Sequence, residues 1–478
     1  RYWLQWAGMP DSIDSPTHNE NDYVDDYRCR GEWVNHLAGG SEVCPDRDGL
    51  HIPLDLSLAF HSDAGTRKTD YIIGTLGIYC TLSEGQVTFA DGTTRYLNHD
   101  LCDLVVSQIT DDIRALYEPN WTRRGMWNQA YFEARVPRVP AMLLELLSHQ
   151  NFADMRYGID PRFRFSVSRA IYKGTLRFIA SQRRHEAVVA PLPPRQLALN
   201  LTEEGHARLT WQPVTDPLEP SAEATGYIVY TRIGGQDFDN GRYVEGTSFE
   251  TALTPCVPCS FRVEAVNAGG RSFPSETLSA GIQTGASKGT VMIVNGFDRI
   301  CAPDDFVAPP PHDTLYAGFL DNLDHGVPYL QDISYIGSMK EFRRDVPWMD
   351  DNASGFGDSW GNYETKVIAG NTFDYPSVHG RALLEAGYSF VSCSHESVEA
   401  QEVDLTSYDC VDLILGKQKQ TKTGRGGYFP LAFKTFTPDM QKALTAYCRQ
   451  GGRLLVSGSY VASDLRDNPL APSLEEDR

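Results

Sequence analysis

Two residues stand where a polar side chain is costly. His61 follows directly on the apolar run from Leu54 to Phe60, in AFHSDAG. Glu145 lies in VPAMLLELLSHQNFAD, at the far end of the apolar run that begins at Val139. Both runs have the length of a buried strand, so both residues sit near a strand's carboxyl end. In open α/β sheets that edge is where ligands bind. A carboxylate inside an apolar stretch is unfavourable unless it is paired, protonated or turned to a site. Taken singly, His61 reads equally as a strand-end cap and Glu145 as half of a salt bridge. Taken together, they mark one candidate site.

The elements that must position them form the first of three segments. Up to about Ala180, apolar runs alternate with amphipathic stretches. Arg162 to Ile179 has helical spacing through Phe163, Val167, Ile171 and Phe178. Strands alternating with helices predict a mostly parallel sheet covered on both faces. The prolines of VVAPLPPR, 188–195, extend neither a helix nor a central strand and mark a boundary. Short strands with turn signals follow: Leu197 to Leu201, Ala207 to Trp211, Gly226 to Arg232, Ser248 to Thr251 and Phe261 to Val266. That is the pattern of a β-sandwich. From about Lys288 a second α/β pattern begins. TVMIVN at 290–295, Tyr388 to Cys393, VDLIL at 411–415 and Arg453 to Ser457 read as strands. Val378 to Ala386 and Thr437 to Arg449 read as helices, the latter with Thr437 as N-cap and Pro438 at the first helical position. The stretch from Phe297 to about Asn371 is read as a long surface excursion over the sheet's ligand-binding edge.

In these words the first segment resembles the zinc-dependent N-acetylmuramoyl-L-alanine amidases. The family's S-I-H-A-N-A phrase, whose His binds zinc, has its counterpart in AFHSDA, 59–64, and its V-P-A-V-L-V-E-L-G-F phrase in VPAMLLELLS, 139–148. Arg30 and Asn35 match an upstream helix in part, and NFAD, 151–154, precedes SRAIYKGTLRFI, 168–179, as the family's acidic loop precedes its last helix. The resemblance implies that His61 is a Zn2+ ligand and that Glu145 is the catalytic general base. It implies zinc-activated water cleaving the amide bond between N-acetylmuramic acid and L-alanine, with peptidoglycan as partner. Trp121, Trp127 and Tyr131 are read as lining the groove or, equally, as packing residues. The departures are specific. Leu146-Leu147 replaces the family's Gly-Phe, and the stretch between His61 and Glu145 is enlarged. The family's further His and Glu ligands upstream have no counterpart: His18 and His36 stand in another context, and Glu32 lies in the later helix. The expectation is that the chain starts inside this domain.

LTWQPV at 209–214, GYIVYTR at 226–232 and FRVEAVNAGGRSFPS at 261–275 resemble fibronectin type III strands, with Trp211 as the core Trp. Cys259 stands where that family usually has a Tyr. The last segment resembles the class I glutamine amidotransferase-like fold, a flavodoxin-like α/β arrangement. Ser459 in VSGSYVAS falls at the nucleophile position, but the usual G-x-C-x-G is missing; His379 and His395 are candidate partners. The expected organisation is an amidase-like α/β domain at 1–187, a fibronectin type III domain at 188–286 and an amidotransferase-like α/β domain at 287–478.

Bulk properties agree with several domains: the chain has 478 residues and no apolar run long enough to span a membrane. Its net charge of −20 argues against a nucleic-acid partner, since phosphate binding needs clustered Lys and Arg. Ten cysteines sit at irregular spacings, and the single C-x-x-C at Cys256 and Cys259 lacks a second pair for a four-thiolate zinc site. Disulfides are open if the protein is exported. The family resemblance implies an extracytoplasmic location, in the periplasm or at the cell surface. The rival expectation is a non-catalytic envelope protein that binds glycan or protein through a degenerate amidase fold.

Overall fold

The computed structural model describes residues 1–64, 71–158, 160–202, 205–298, 371–420 and 432–461, and the backbone of three strands between 304 and 343. The first unit opens with helices α1 (Tyr2–Trp6), α2 (Asp11–Asp14) and α3 (Asp22–Ala38). Asn21 caps α3 by accepting from the Val24 N–H. Strands β1 (Ser57–Asp63) and β2 (Thr75–Tyr79), helix α4 (Leu97–Leu116), strand β3 (Arg123–Asn128), the single turn α5 (Phe132–Arg135), strand β4 (Ala141–Ser148) and helices α6 (Phe152–Gly158) and α7 (Pro161–Arg183) complete it.

The sheet order is β1-β4-β2-β3. Strands β1 and β4 pair in parallel, as do β2 and β3, but β2 and β4 are antiparallel. The sheet is therefore mixed where the sequence pattern predicts a mostly parallel one. Alternation of strands and helices encodes how many crossovers occur, not the direction in which each strand returns. One face packs on α4 and α7 through Met142, Leu144, Val105, Val106, Phe163 and Val167, all buried. The other face holds Leu76, Ile78, Leu143 and Ala59 against Ala134 of α5.

The second unit has eight strands: β5 (Arg195–Leu201), β6 (His206–Gln212), β7 (Gly226–Ile233), β8 (Arg242–Val244), β9 (Ser248–Ala252), β10 (Cys259–Asn267), β11 (Gly270–Arg271) and β12 (Leu278–Ala280). β5, β6 and β9 are antiparallel neighbours in one sheet; β8, β7, β10 and β11, with β12 on β10, form another. Alternate residues of β6 and β10 face inward, among them Trp211, whose ring meets Tyr227 edge-on at 5.2 Å.

In the third unit, β13 (Thr290–Asn295) is followed by a small antiparallel sheet of β14 (Asp304–Val307), β15 (Tyr316–Leu320) and β16 (Lys340–Arg343). Between 299 and 370 the rest of the excursion lies outside the described residues. Then come α8 (Tyr375–Ala386), β17 (Ser389–Ser394), α9 (His395–Glu399), β18 (Cys410–Gly416), α10 (Pro438–Arg449) and β19 (Leu454–Gly458). Thr437 caps α10 from the predicted position, accepting from the Met440 N–H. Strands β19, β18, β13 and β17 are parallel neighbours in that order. Helix α8 covers one face through Leu384, against Val291, Ile293 and Phe390; α10 covers the other through Met440 and Leu444, against Met292, Val294 and Leu413.

The outer edge of β17 is not free. Phe390 and Gly281 exchange backbone hydrogen bonds of 3.0 and 2.9 Å, and Cys393 pairs with Ala198 of β5. The Ser279 N–H donates to Ser392 Oγ at 2.7 Å. A seven-stranded sheet thus runs β19-β18-β13-β17-β5-β6-β9, and one apolar core includes Leu199, Trp211 and Val263 together with Met292, Val391 and Leu413. The nine described cysteines are all free thiols.

Candidate functional site

His61 and Glu145 are direct partners in the register of β1 and β4. The parallel pairing places both at the same edge and on the same face of the sheet, because residues opposite one another share a side of the pleat. This face is the one covered by α5. Below the pair it is apolar, with Ala59 and Leu143 two residues earlier on each strand; above it the register shifts between His61 and Asp63.

The side chain that meets His61 is Glu133 of α5. His61 Nε2 lies 3.0 Å from Glu133 Oε2 and 3.2 Å from Oε1. Glu133 is held from its other side by Arg30, whose Nη1 donates to Oε1 at 3.2 Å, and Arg30 in turn donates to Asp26 of the same helix at 2.5 Å. Helix α3 and α5 approach closely because position 31 is glycine: a Cβ there would lie 3.1 Å from the Phe132 ring. Asn35, buried on α3, donates to the Val136 carbonyl and accepts from the Arg138 N–H, so it fixes the loop that carries Glu133. Asp63 is ion-paired with Arg124 of β3.

Glu145 has one buried oxygen, Oε2, with no hydrogen-bond partner. Burial pushes its carboxyl up to about 7; His61 and Arg124 pull against that, and the negative charges of Asp63 and Glu133 add to it. The hydrogen bond to Glu133 raises His61 above the usual imidazole range, although burial opposes the shift. Burial would raise Glu133, yet His61 and Arg30 outweigh it and hold that carboxyl below its ordinary value. The face therefore carries His61 and Glu133, each shifted towards its charged form, beside a carboxyl poised between its two states near neutral pH. A carboxyl so poised can accept and return a proton.

A catalytic zinc takes three protein ligands and one open position. Here His61 and Glu133 face each other as one imidazole and one carboxylate, but among the described residues no three His, Cys, Asp or Glu side chains converge to hold a metal. The donor set present does not complete a zinc site. Glu32, on α3, is ion-paired with Arg47 at 2.9 Å instead.

Glu133, Asp63 and Arg124 are absent from the sequence-based candidates. Glu133 sits in a single helical turn inside an aromatic- and Arg-rich stretch, where no periodicity separates it from neighbouring charges. Trp121 is a packing residue, fully buried, with its Nε1 donating to Thr75 Oγ1 at 2.9 Å. Trp127 and Tyr131 are exposed at 43% and 47% and line a shallow depression with Asn128 and Gln129. In the third unit His379 Nδ1 lies 2.7 Å from Asp412 Oδ2, and His395 Nδ1 lies 3.4 Å from Glu399 Oε1. These histidines thus sit on different helices with different carboxylates, and the Ser459 N–H donates to the Gly416 carbonyl at 2.7 Å.

No family model matches the chain, and no curated protein matches it. Solved structures are similar over about a fifth of its length. The twitchin kinase region from C. elegans is 23% identical over 20% of this chain and 17% of that one, with a TM-score of 0.18. Domains A168–A170 of titin are 26% identical over 18% of this chain and 30% of theirs, with a TM-score of 0.17. The fibronectin type III domain of human fibronectin type III domain containing protein 3 is 25% identical over 21% of this chain and 94% of that one, with a TM-score of 0.18. The chain thus spans under a third of the twitchin and titin fragments.

Proposed function

We propose that the chain is a peptidoglycan hydrolase of the N-acetylmuramoyl-L-alanine amidase type, working outside the cytoplasm, with its chemistry at the edge shared by β1 and β4. The observation that carries this reading is Glu145: a carboxyl raised to about 7, with a buried unpartnered oxygen, set opposite His61. In this reading Glu145 takes a proton from the attacking water and returns it to the leaving amine of L-alanine. His61 is held in place by Glu133, which Arg30 orients in turn. The zinc expected from the amidase resemblance needs at least one donor beyond His61 and Glu133, so no step here is assigned to it. The second unit is proposed as a fibronectin type III module. The third, whose parallel strands run second-first-third-fourth in chain order, is proposed as a flavodoxin-like, amidotransferase-like domain.

Release of L-alanine-terminated peptides from purified muropeptides tests the reading. Glu145→Gln keeps the shape of the side chain but not its proton uptake, and turnover should fall by ~10²–10⁴-fold. Wild-type turnover in that variant would remove Glu145 from the chemistry. An inert wild-type chain that still sediments with peptidoglycan would favour the non-catalytic envelope protein.

A further inference from the structure

Helix α7 presents two faces. Phe163, Val167, Ala170 and Phe178 are buried in the core of the first unit. Phe165, Arg169 and Tyr172 follow at i, i+4 and i+7 and so share another face. Opposite that face stand the proline-rich linker and the turn between β10 and β11, and between the two sides lies a cleft of about 460 Å³. Its size and its place at the seam of two units are those of a small-molecule site.

The walls are tied together, so the cleft is preformed. Tyr172 Oη accepts from the Ala190 N–H at 3.0 Å, and Arg169 Nη2 donates to the Ala190 carbonyl at 2.9 Å. On the other side Asn267 Nδ2 donates to the Val189 carbonyl at 2.9 Å, and a Cβ at Gly269 would overlap the Val188 carbonyl. Most of the lining is rings: Phe165, Tyr172, Phe273, Pro191 and Pro193. Phe165 and Phe273 meet edge-on at 6.1 Å across the seam, yet they remain 36% and 70% exposed. An aromatic ring placed against them covers apolar surface and gains edge-to-face contacts.

Among the described residues, the charged groups lining the cleft are two arginines, and no carboxylate lines it. Arg169 is already engaged, since its Nε donates to Asp216 Oδ2 at 2.8 Å besides the bond to Ala190. Arg271 has a side chain 60% exposed; its Nη1 donates to Tyr230 Oη at 3.0 Å, and Glu264 lies 4.0 Å away. A guanidinium carries five N–H donors in a fork that fits a carboxylate, so donors remain for a ligand. In a chain of net charge −20, a cleft whose lining charge is positive selects an acid.

We propose that this cleft binds a flat aromatic carboxylate, its ring against Phe165 and Phe273 and its carboxylate on the Arg271 guanidinium. The volume is about three times the ~150 Å³ that holds a benzene ring, which leaves room for a ring and an acid-bearing arm. Helix α7 packs on the sheet face opposite that of His61 and Glu145, and the site does not rest on the proposed hydrolase activity. Because α7 and the β10–β11 turn share the cleft, a bound ligand ties the first unit to the second.

Titration calorimetry on the whole chain tests this with cinnamate, cinnamyl alcohol and cyclohexanepropionate. Cinnamate should bind at least about tenfold more tightly than the alcohol, as a charge-assisted hydrogen bond to Arg271 requires, and more tightly than its saturated counterpart. Arg271→Gln should abolish the preference for the acid while leaving the alcohol's affinity unchanged, which separates loss of the contact from loss of fold. Phe273→Ala, at an exposed position, should weaken cinnamate and the alcohol alike, by about threefold or more. With cinnamate bound, amide hydrogen exchange should slow in both α7 and the β10–β11 turn. No saturable binding of cinnamate, equal affinity for cinnamate and either other probe, an unchanged preference in Arg271→Gln, unchanged binding in Phe273→Ala, or protection of only one of the two elements would each overturn the proposal.

Discussion

Glu145 and His61 are both raised above their ordinary values, for different reasons. Glu145 is raised by burial from 4.5 in the unfolded chain to about 7. The folded protein therefore holds more protons than the unfolded chain between those values, and this group's contribution to stability falls as pH rises from about 4.5 to 7. Glu145→Gln removes that dependence. Urea unfolding at pH 5 and pH 7.5 should show the variant gaining on the wild type at the higher pH, and an identical pH profile for the two would contradict the buried, unpartnered state of Oε2. His61 owes its raised pKa to Glu133 before anything else. In Glu133→Gln the imidazole should titrate lower, while burial still holds Glu145 above the usual carboxylate range. Proton NMR of the His61 ring across pH 5–9 reads the shift directly. A His61 pKa unmoved by the substitution would mean that Arg30 and Glu133 do not hold it.

At the scale of elements, what was legible follows from local signals. Strand β4 shows itself as an apolar run bounded by Pro140 and His149, and α10 by Thr437 and Pro438 ahead of it and Gly451-Gly452 behind. The pairing of His61 with Glu145 was legible because each lies at the end of its own run. The turn carrying Glu133 was not: α5 is one turn long, and its place is set by contacts distant in sequence, Phe132 with Tyr27 and Arg30 with Glu133. The union of the second and third units was equally hidden. It depends on β17 meeting β5, and on Arg232 of β7 forming a buried ion pair with Asp374, the N-cap of α8, whose side chains are 5% and 2% exposed. Removing one member of such a pair strands the other's charge. Arg232→Met should destabilise the chain by about 3–5 kcal/mol in urea unfolding, and adding Asp374→Leu should restore most of that loss. A double variant no better than the single one would show that the two residues act separately.

Across the whole molecule the question is how many pieces unfold. Sequence patterns divide the chain at prolines near 191 and at the change from short strands to an α/β alternation near 288, which suggests three independent cores. The structure instead shows one core common to the last two segments, since Leu209 and Trp211 of β6 belong to the same cluster as Met292 of β13 and Leu413 of β18. The first unit has its own cluster, containing Leu144 and Phe163. It meets the second unit through side-chain contacts, Arg169 with Asp216 at 2.8 Å, Arg177 with Glu219 at 2.6 Å and the Phe165 ring on Phe273, rather than through a continuous sheet. A shared core and a shared sheet make two segments open as one cooperative unit, whereas a few side-chain contacts across a boundary do not. Leu209 is 1% exposed, so Leu209→Ala should cost about 2–5 kcal/mol at its own site. Native-state hydrogen exchange tells the two organisations apart. The amides of β13 and β17 should lose the same free energy of protection as those of β6, while the amides of β4 stay as they were. Leu144→Ala, at a fully buried site of the first cluster, should give the reverse pattern. If Leu209→Ala loosened β6 alone, the sandwich would be an independent domain after all, and the continuity of the seven-stranded sheet would contribute nothing to its stability.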